Sequence, residues 1–174
     1  MNAVIEAMKA RRSVRAFRPD PIPEELLSQV LEAGTYAASG MNGQSPTILA
    51  VTNCEVRDEL MRINAEIIGN PGSDPFYGAP VVLTVLADPS RPTHVYDGSL
   101  VIGNLMLAAH ALGLGSCWIH RAKETFERPD GKALLARYGL PENLVGIGNC
   151  ALGYPAAPAR PAAPRKPDYI KYIR

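Results

Sequence analysis

Residues 99–119, SLVIGNLMLAAHALGLGSCWI, are apolar almost without a break, and no other stretch restricts the fold as strongly. A helix that is hydrophobic around its whole circumference either crosses a membrane or is enclosed by protein. Asn104 and His110 interrupt the run and Asp97 stands just before it, so an enclosed helix over residues 96–114 is predicted, with no membrane partner. A chain of 174 residues with 47% hydrophobic side chains can build one core around such a helix. A domain this small has little protein to wrap every face, so a second subunit is expected to cover part of it.

The remaining periodicities supply the other elements. Val4, Ile5 and Met8 share a helical face behind Asn2, a good N-cap, and predict a helix over residues 3–12. Pro19 and Pro21 delay the next helix until residues 23–34, PEELLSQVLEAG, with Pro23 in first position and Gly34 as the stop. Residues 35–46, TYAASGMNGQSP, read as a loop, 47–52 as a strand, and 55–68 as a helix through Val56, Leu60, Ile63 and Ile67. Residues 69–80 hold six Gly or Pro in twelve and are expected to be a mobile excursion, with 69–78 the only obvious lid. Strands follow at 81–87, 116–119 and 144–155, with a helix between the last two that is capped by Asp130 and ends at Gly139. Helices and strands that alternate without a repeating βαβ period predict an α+β domain over residues 1–154, its sheet flanked by helices.

Residues 155–174 form an arm of that domain. Pro155, Pro158, Pro161, Pro164 and Pro167 recur every third residue, the period of a polyproline II helix, and predict an extended strap. At about 3.1 Å per residue it could cross roughly 40 Å. It carries Arg165 and Lys166 and then YIKYI, whose Tyr169, Ile170, Tyr172 and Ile173 need an apolar surface. The alternative is a disordered Pro/Ala tail.

At the other end, KARRSVRAF gathers Lys9, Arg11, Arg12 and Arg15 around Ser13, although the formal net charge is only +1. One cation in a helix's last turn complements the helix dipole, but three guanidinium groups beside a hydroxyl are matched to a phosphate monoester. The near-neutral whole argues against a nucleic-acid partner. Cys54, Cys117 and Cys150 are odd in number and widely spaced, so they predict buried thiols rather than a disulfide framework. With no apolar signal segment at the N-terminus, the expected location is cytoplasmic. No GxGxxG follows a strand, no phosphate-binding GxxxxGK[ST] occurs, GxSxG is missing, and His94, His110 and His120 lack zinc-site spacing, so no metal is expected. In AASGMNGQSP, Ser39, Asn42 and Gln44 offer hydroxyl and amide groups that could read the polar edge of a planar heterocycle; an ordinary turn is the other reading.

ARRSVRAF, AASGMNGQSP, NLMLAAHALGLGSCWI and ALGYPAAPARPAAPRKP occur in that order across essentially the whole chain. Together they resemble the FMN-dependent nitroreductase family. The resemblance implies a homodimeric three-layer α+β fold with a central mixed, mostly antiparallel sheet. FMN would lie in two equivalent interfacial sites, and the C-terminal segment would extend onto the partner subunit. Carried over by position, Arg11 and Ser13, in the same cluster as Arg12, become ligands of the FMN phosphate with Arg165 or Lys166. Arg15 lies beside the flavin's pyrimidine edge. Ser39, Gly40 and Asn42 come from the other subunit, with Gln44 nearby, and Asn64 matches a flavin-contacting amide. The segment from Ile119 through His120 to Arg121 passes the reactive ring edge with a backbone N–H facing N5. Several relatives carry Glu and Gly where this chain has His120 and Arg121.

The implied activity is ping-pong hydride transfer from NADH or NADPH through the flavin to a small aromatic acceptor such as a nitroaromatic or quinone. The flavin carries the chemistry, so no catalytic side chain is expected. Three other readings stay open: FMN binding without turnover, a flavin-dependent dehydrogenase or dehalogenase of the same fold, and nucleic-acid binding through ARRSVR.

Overall fold

A computed structural model describes residues 2–174. Helix α1 (Ala3–Ala10) starts where the Asn2 side chain accepts from Val4 N and Ile5 N, and ends at Arg11. Helix α2 (Glu24–Thr35) follows the proline run, with Pro23 as its cap residue. Strand β1 (Pro46–Val51), helix α3 (Cys54–Ile67), strand β2 (Val81–Ala87), helix α4 (His94–Ala111) and strand β3 (Gly115–Ile119) come next. Two short helices, α5 (Ala122–Glu127) and α6 (Pro129–Arg137), lead to strand β4 (Val145–Gly153).

The sheet order is β1-β2-β4-β3, and all three ladders are antiparallel. The parallel component of the expected mixed sheet is confined, among the described residues, to an isolated bridge between Ser13 and Ser116. Alternation along β2 sends Val81, Leu83 and Val85 to one face and Val82 and Leu86 to the other, with a register shift between Val85 and Leu86. The first face packs on Val30 of α2 and Val101, Ile102, Leu105 and Ala109 of α4. The second packs on Leu60 of α3, Phe126 of α5 and Leu134 and Leu135 of α6. The result is three layers, helix over sheet over helix.

Several local expectations are corrected. Gly34 does not stop α2, which runs through it to Thr35. A Cβ there would stand 2.6 Å from Leu105 Cδ2, so the glycine lets α2 and α4 approach. Asp130 is not the cap of α6: Arg128 is, Pro129 opens the helix, and the helix ends at Arg137. Asp130 accepts instead from Arg128 Nε at 2.9 Å. Helix α5 was not anticipated. Residues 69–80 are turns, yet Asp74 accepts from Phe76 N at 2.8 Å and Gly78 N at 2.9 Å, pairs with Arg57, and holds Phe76 fully buried in the core. These contacts tie residues 74–78 of the excursion to the core. No helix among the described residues is long and apolar enough to cross a membrane.

Helix α4 is not enclosed on every side. It buries Val101, Ile102, Leu105 and Ala109 but exposes Val95, Tyr96 and Leu100. Helix α1 buries nothing and presents Val4, Ile5 and Met8. The arm leaves the sheet beside the start of the chain, where Ala156 N donates to Ala16 O at 3.0 Å, and is then exposed and without helix or strand, with a turn in which Tyr169 N donates to Lys166 O at 3.3 Å.

Candidate cofactor site

The cationic cluster is built where α1 stops. After Arg11 the backbone turns extended, and Val14 N donates to Ser116 O at 2.9 Å, which lays the segment along the edge of β3. Bridging of Phe17 to Pro155 brings the two ends of the chain side by side. Between them lies a cavity of about 450 Å³ whose walls include Arg12, Ser13 and Arg15 from the start of the chain and residues 157–161 from the arm. Its cations are Arg12, Arg15 and Arg160, and no carboxylate faces it. Arg12 Nη1 caps α1 by donating to Lys9 O at 2.7 Å and Arg11 O at 2.6 Å. Arg12 Nε and Arg11 Nη1, by contrast, are buried with no hydrogen-bond partner. Beneath them the Ser13 hydroxyl meets Cys117. Burial pushes the Cys117 thiol up, against the opposing influence of Arg15, Ser13 and Arg11.

Seven cations on the body of the domain, Arg18, Arg57, Arg62, Arg121, Lys123, Arg128 and Arg137, each pair with a carboxylate, while Arg91, Lys132, Lys171 and Arg174 do not among the described residues. Among the described residues Arg11, Arg12, Arg15 and the arm's Arg160, Arg165 and Lys166 make no ion pair. Buried guanidinium donors without a counter-ion are costly, and a bound anion relieves that cost. Arg12, Ser13, Arg15 and Arg160 on the cavity therefore fit a phosphate; Arg11, its Nη1 buried, does not line that cavity.

The second group is the loop after α2. Gln44 N donates to Ser39 Oγ at 3.1 Å and Gln44 Nε2 to Asn42 Oδ1 at 3.2 Å. Ser39 and Gln44 line a cavity of about 360 Å³ against Leu31, Ile48 and Val101, and Met41 at the tip is fully exposed. The third group surrounds Asn64, fully buried on α3, whose Nδ2 donates to Leu60 O and Thr125 Oγ1, both at 3.1 Å. Its Oδ1 has no partner. Asn64, Ile119 and His120 line a cavity of about 330 Å³ together with Asn70, Tyr77 and Arg121. Arg121 has φ 82°, a left-handed conformation that suits the Gly implied there by the family resemblance better than an Arg.

Sequence reasoning thus named three groups of residues that the structure assembles separately. Within one chain it does not bring them to a common cavity. Arg165 and Lys166 line none of these cavities, and Arg165 Nη2 donates to Ala163 O at 2.9 Å. Arg160 in the phosphate-sized cavity was missed, although its place in the same proline repeat signalled that the arm passes with a cation there. Asp97, buried behind the second group, stands in the sequence just before the apolar run, and no spacing there marks it as a partner of this loop.

The family model described as Nitroreductase family matches residues 8–154. The chain belongs to the nitroreductase family. A crystal structure of a nitroreductase with bound FMN from Bacteroides fragilis superposes on it with a TM-score of 0.92 at 34% identity, each chain covered completely. An NADPH-flavin oxidoreductase of Vibrio harveyi is 31% identical over 169 residues, covering 89% of this chain and 67% of its own. An FMN reductase [NAD(P)H] of Bacillus subtilis is 26% identical over 178 residues, with 90% and 67% covered. This nitroreductase-family chain is the shorter in both of the last two pairings, and the family match ends where its arm begins.

Proposed function

We propose that the protein is a homodimeric oxidoreductase that holds FMN between its subunits and passes a hydride from NADH or NADPH to an electrophilic acceptor such as a nitroaromatic or quinone. The observation that carries this reading is the cluster of unpaired cations between the chain's two ends, in a fold shared with an FMN-bound nitroreductase. Arg11, Ser13 and Arg15 hold the phosphate end and the pyrimidine edge, with Arg12 turned partly to the helix end. Asn64 offers its free Oδ1 from the wall that Ile119 and His120 share. The Ser39–Gln44 loop, separate from both groups within one chain, serves the partner's cofactor. When bound, FMN supplies the hydride-accepting and hydride-donating atom, N5.

The dimer is supported by apolar surface. Val4, Ile5 and Met8 on α1 and Val95, Tyr96 and Leu100 on α4 are exposed, and apolar faces of this kind mark interaction sites. The arm's Tyr169, Ile170, Tyr172 and Ile173 are exposed as well, which favours a clasp on a second copy. The position of Arg165 and Lys166 on that arm leaves them free to reach a phosphate only when the arm is docked.

Purified protein reconstituted with FMN should be dimeric and yellow, and anaerobic addition of NADH or NADPH should bleach the flavin bands, with colour returning on addition of a quinone. Flavin that stays oxidised with both nicotinamides would reduce the reading to FMN binding without turnover. A colourless protein that retains nucleic acid in a salt-dependent way would contradict it outright.

A further inference from the structure

We infer that Asp97 is a positioning residue for cofactor binding: from the first turn of α4 it locks the Ser39–Gln44 loop into the one shape that can face the flavin. The inference rests on the reading that this loop contacts FMN. It starts from strain. Met41, Asn42 and Gln44 have φ of 52°, 53° and 46°, a left-handed conformation that Asn tolerates and that Met and Gln rarely adopt. Three such residues within four positions persist only where neighbouring structure over-determines them. The restraint is Asp97, 4% exposed and distant in sequence. Its Oδ1 accepts from Gly40 N at 3.0 Å. Its Oδ2 accepts from Thr93 Oγ1 at 2.9 Å and Ser45 Oγ at 3.4 Å, so one carboxylate ties both ends of the loop to the start of α4.

The fit is close enough to dictate Gly40. A Cβ at that position would meet Thr93 Oγ1 at 2.4 Å, so the loop can sit on this anchor only with glycine there. No cation pairs with Asp97 among the described residues; its charge is balanced by three donors, Gly40 N within the loop, Ser45 Oγ immediately after it and Thr93 Oγ1. A buried carboxylate neutralised by N–H and O–H groups of a loop and its flank couples the shape of that loop to the presence of the carboxylate. Asp97 itself touches no reacting atom in this scheme; it acts through Ser39, Gly40 and Asn42.

The test uses the full-length protein without cofactor and reads two quantities: amide hydrogen exchange at Gly40, Asn42 and Gln44, and the Kd for FMN from flavin fluorescence. Asp97→Ala should raise exchange at these amides and weaken FMN binding about ten-fold or more. Asp97→Asn should restore both to within about three-fold, because its Oδ1 still accepts from Gly40 and its amide can donate to the two hydroxyls. Thr93→Val, which removes one donor and leaves the carboxylate, should fall between them, and it supplies the answer if Asp97→Ala does not fold. Unchanged exchange with weakened FMN binding, or raised exchange with unchanged binding, overturns the inference. Wild-type protein that fails to take up FMN overturns the functional reading instead, and does so before any variant is made.

Discussion

Replacing Arg11 by Met separates a guanidinium kept for a ligand from one kept for the fold. Arg11 is half-buried, its Nη1 has no partner, and it pairs with no carboxylate. In the FMN-free protein, an apolar side chain of similar length removes an unsatisfied buried donor, worth about 1–3 kcal/mol. It also removes one of three like charges. The FMN-free variant should therefore be as stable as wild type or more so, and each kcal/mol gained raises Tm by about 2–4 °C in a chain of this size. With FMN present the sign reverses. Losing a charge-assisted hydrogen bond to a phosphate costs about 1.5–3 kcal/mol, a ten-fold to 150-fold rise in Kd. Thermal melts of both proteins with and without saturating FMN, alongside fluorescence titration, read both effects. A variant that melts lower without cofactor and binds FMN as tightly as wild type would show that Arg11 is structural and holds no ligand.

Three further outcomes are expected. Deleting residues 155–174 should weaken FMN retention and the dimer together; gel filtration with absorbance detection at the flavin bands reads both, and a yellow dimer of truncated chains would contradict the strap. Only the exposed Cys54 should react with a thiol reagent in the native protein, because burial pushes Cys117 up and pushes fully buried Cys150 up to about 12; titration before and after denaturation should give one thiol and then three. Asp130 is held below the usual carboxylate range first by its hydrogen bond from Arg128, so its stabilisation is present above about pH 4 and disappears as pH falls through its lower folded value. Arg128→Gln should flatten that part of the acid-stability curve by a small amount, since the pair is partly exposed and salt-screened.

Strand positions were legible because β-branched runs such as VVLTVLA have no competing helical period, and β2 occupies the residues that pattern marks. Gly34 was misread because a glycine near a helix end usually signals a stop; only the position of Leu105, far along the chain, shows that it is a packing contact. Helix α5 escaped notice since six residues barely complete its turns, although Ala122, Thr125 and Phe126 share its buried face and Pro129 bounds the segment. The pinned loop at 69–80 was unreadable for a similar reason. Its glycines and prolines announce turns, but the buried Phe76 and the Arg57–Asp74 pair that fix it are tertiary facts. In the candidate site, the charge of Arg11, Arg12 and Arg15 was visible as composition, and their lack of counter-ions became visible only in three dimensions. Asp97 could not have been recognised at all from its neighbours in sequence, because its loop partners lie more than fifty residues away.

In the proposed site, cations near both ends of the chain hold the phosphate of FMN. The most direct measurement compares the Kd of cofactor-free protein for FMN with that for riboflavin, the same ring and side chain without the phosphate, at low and at high salt. FMN should bind about 100-fold tighter or more at low salt, with the difference shrinking as salt screens the cluster. Equal affinities at both salt concentrations would show that these arginines hold something else.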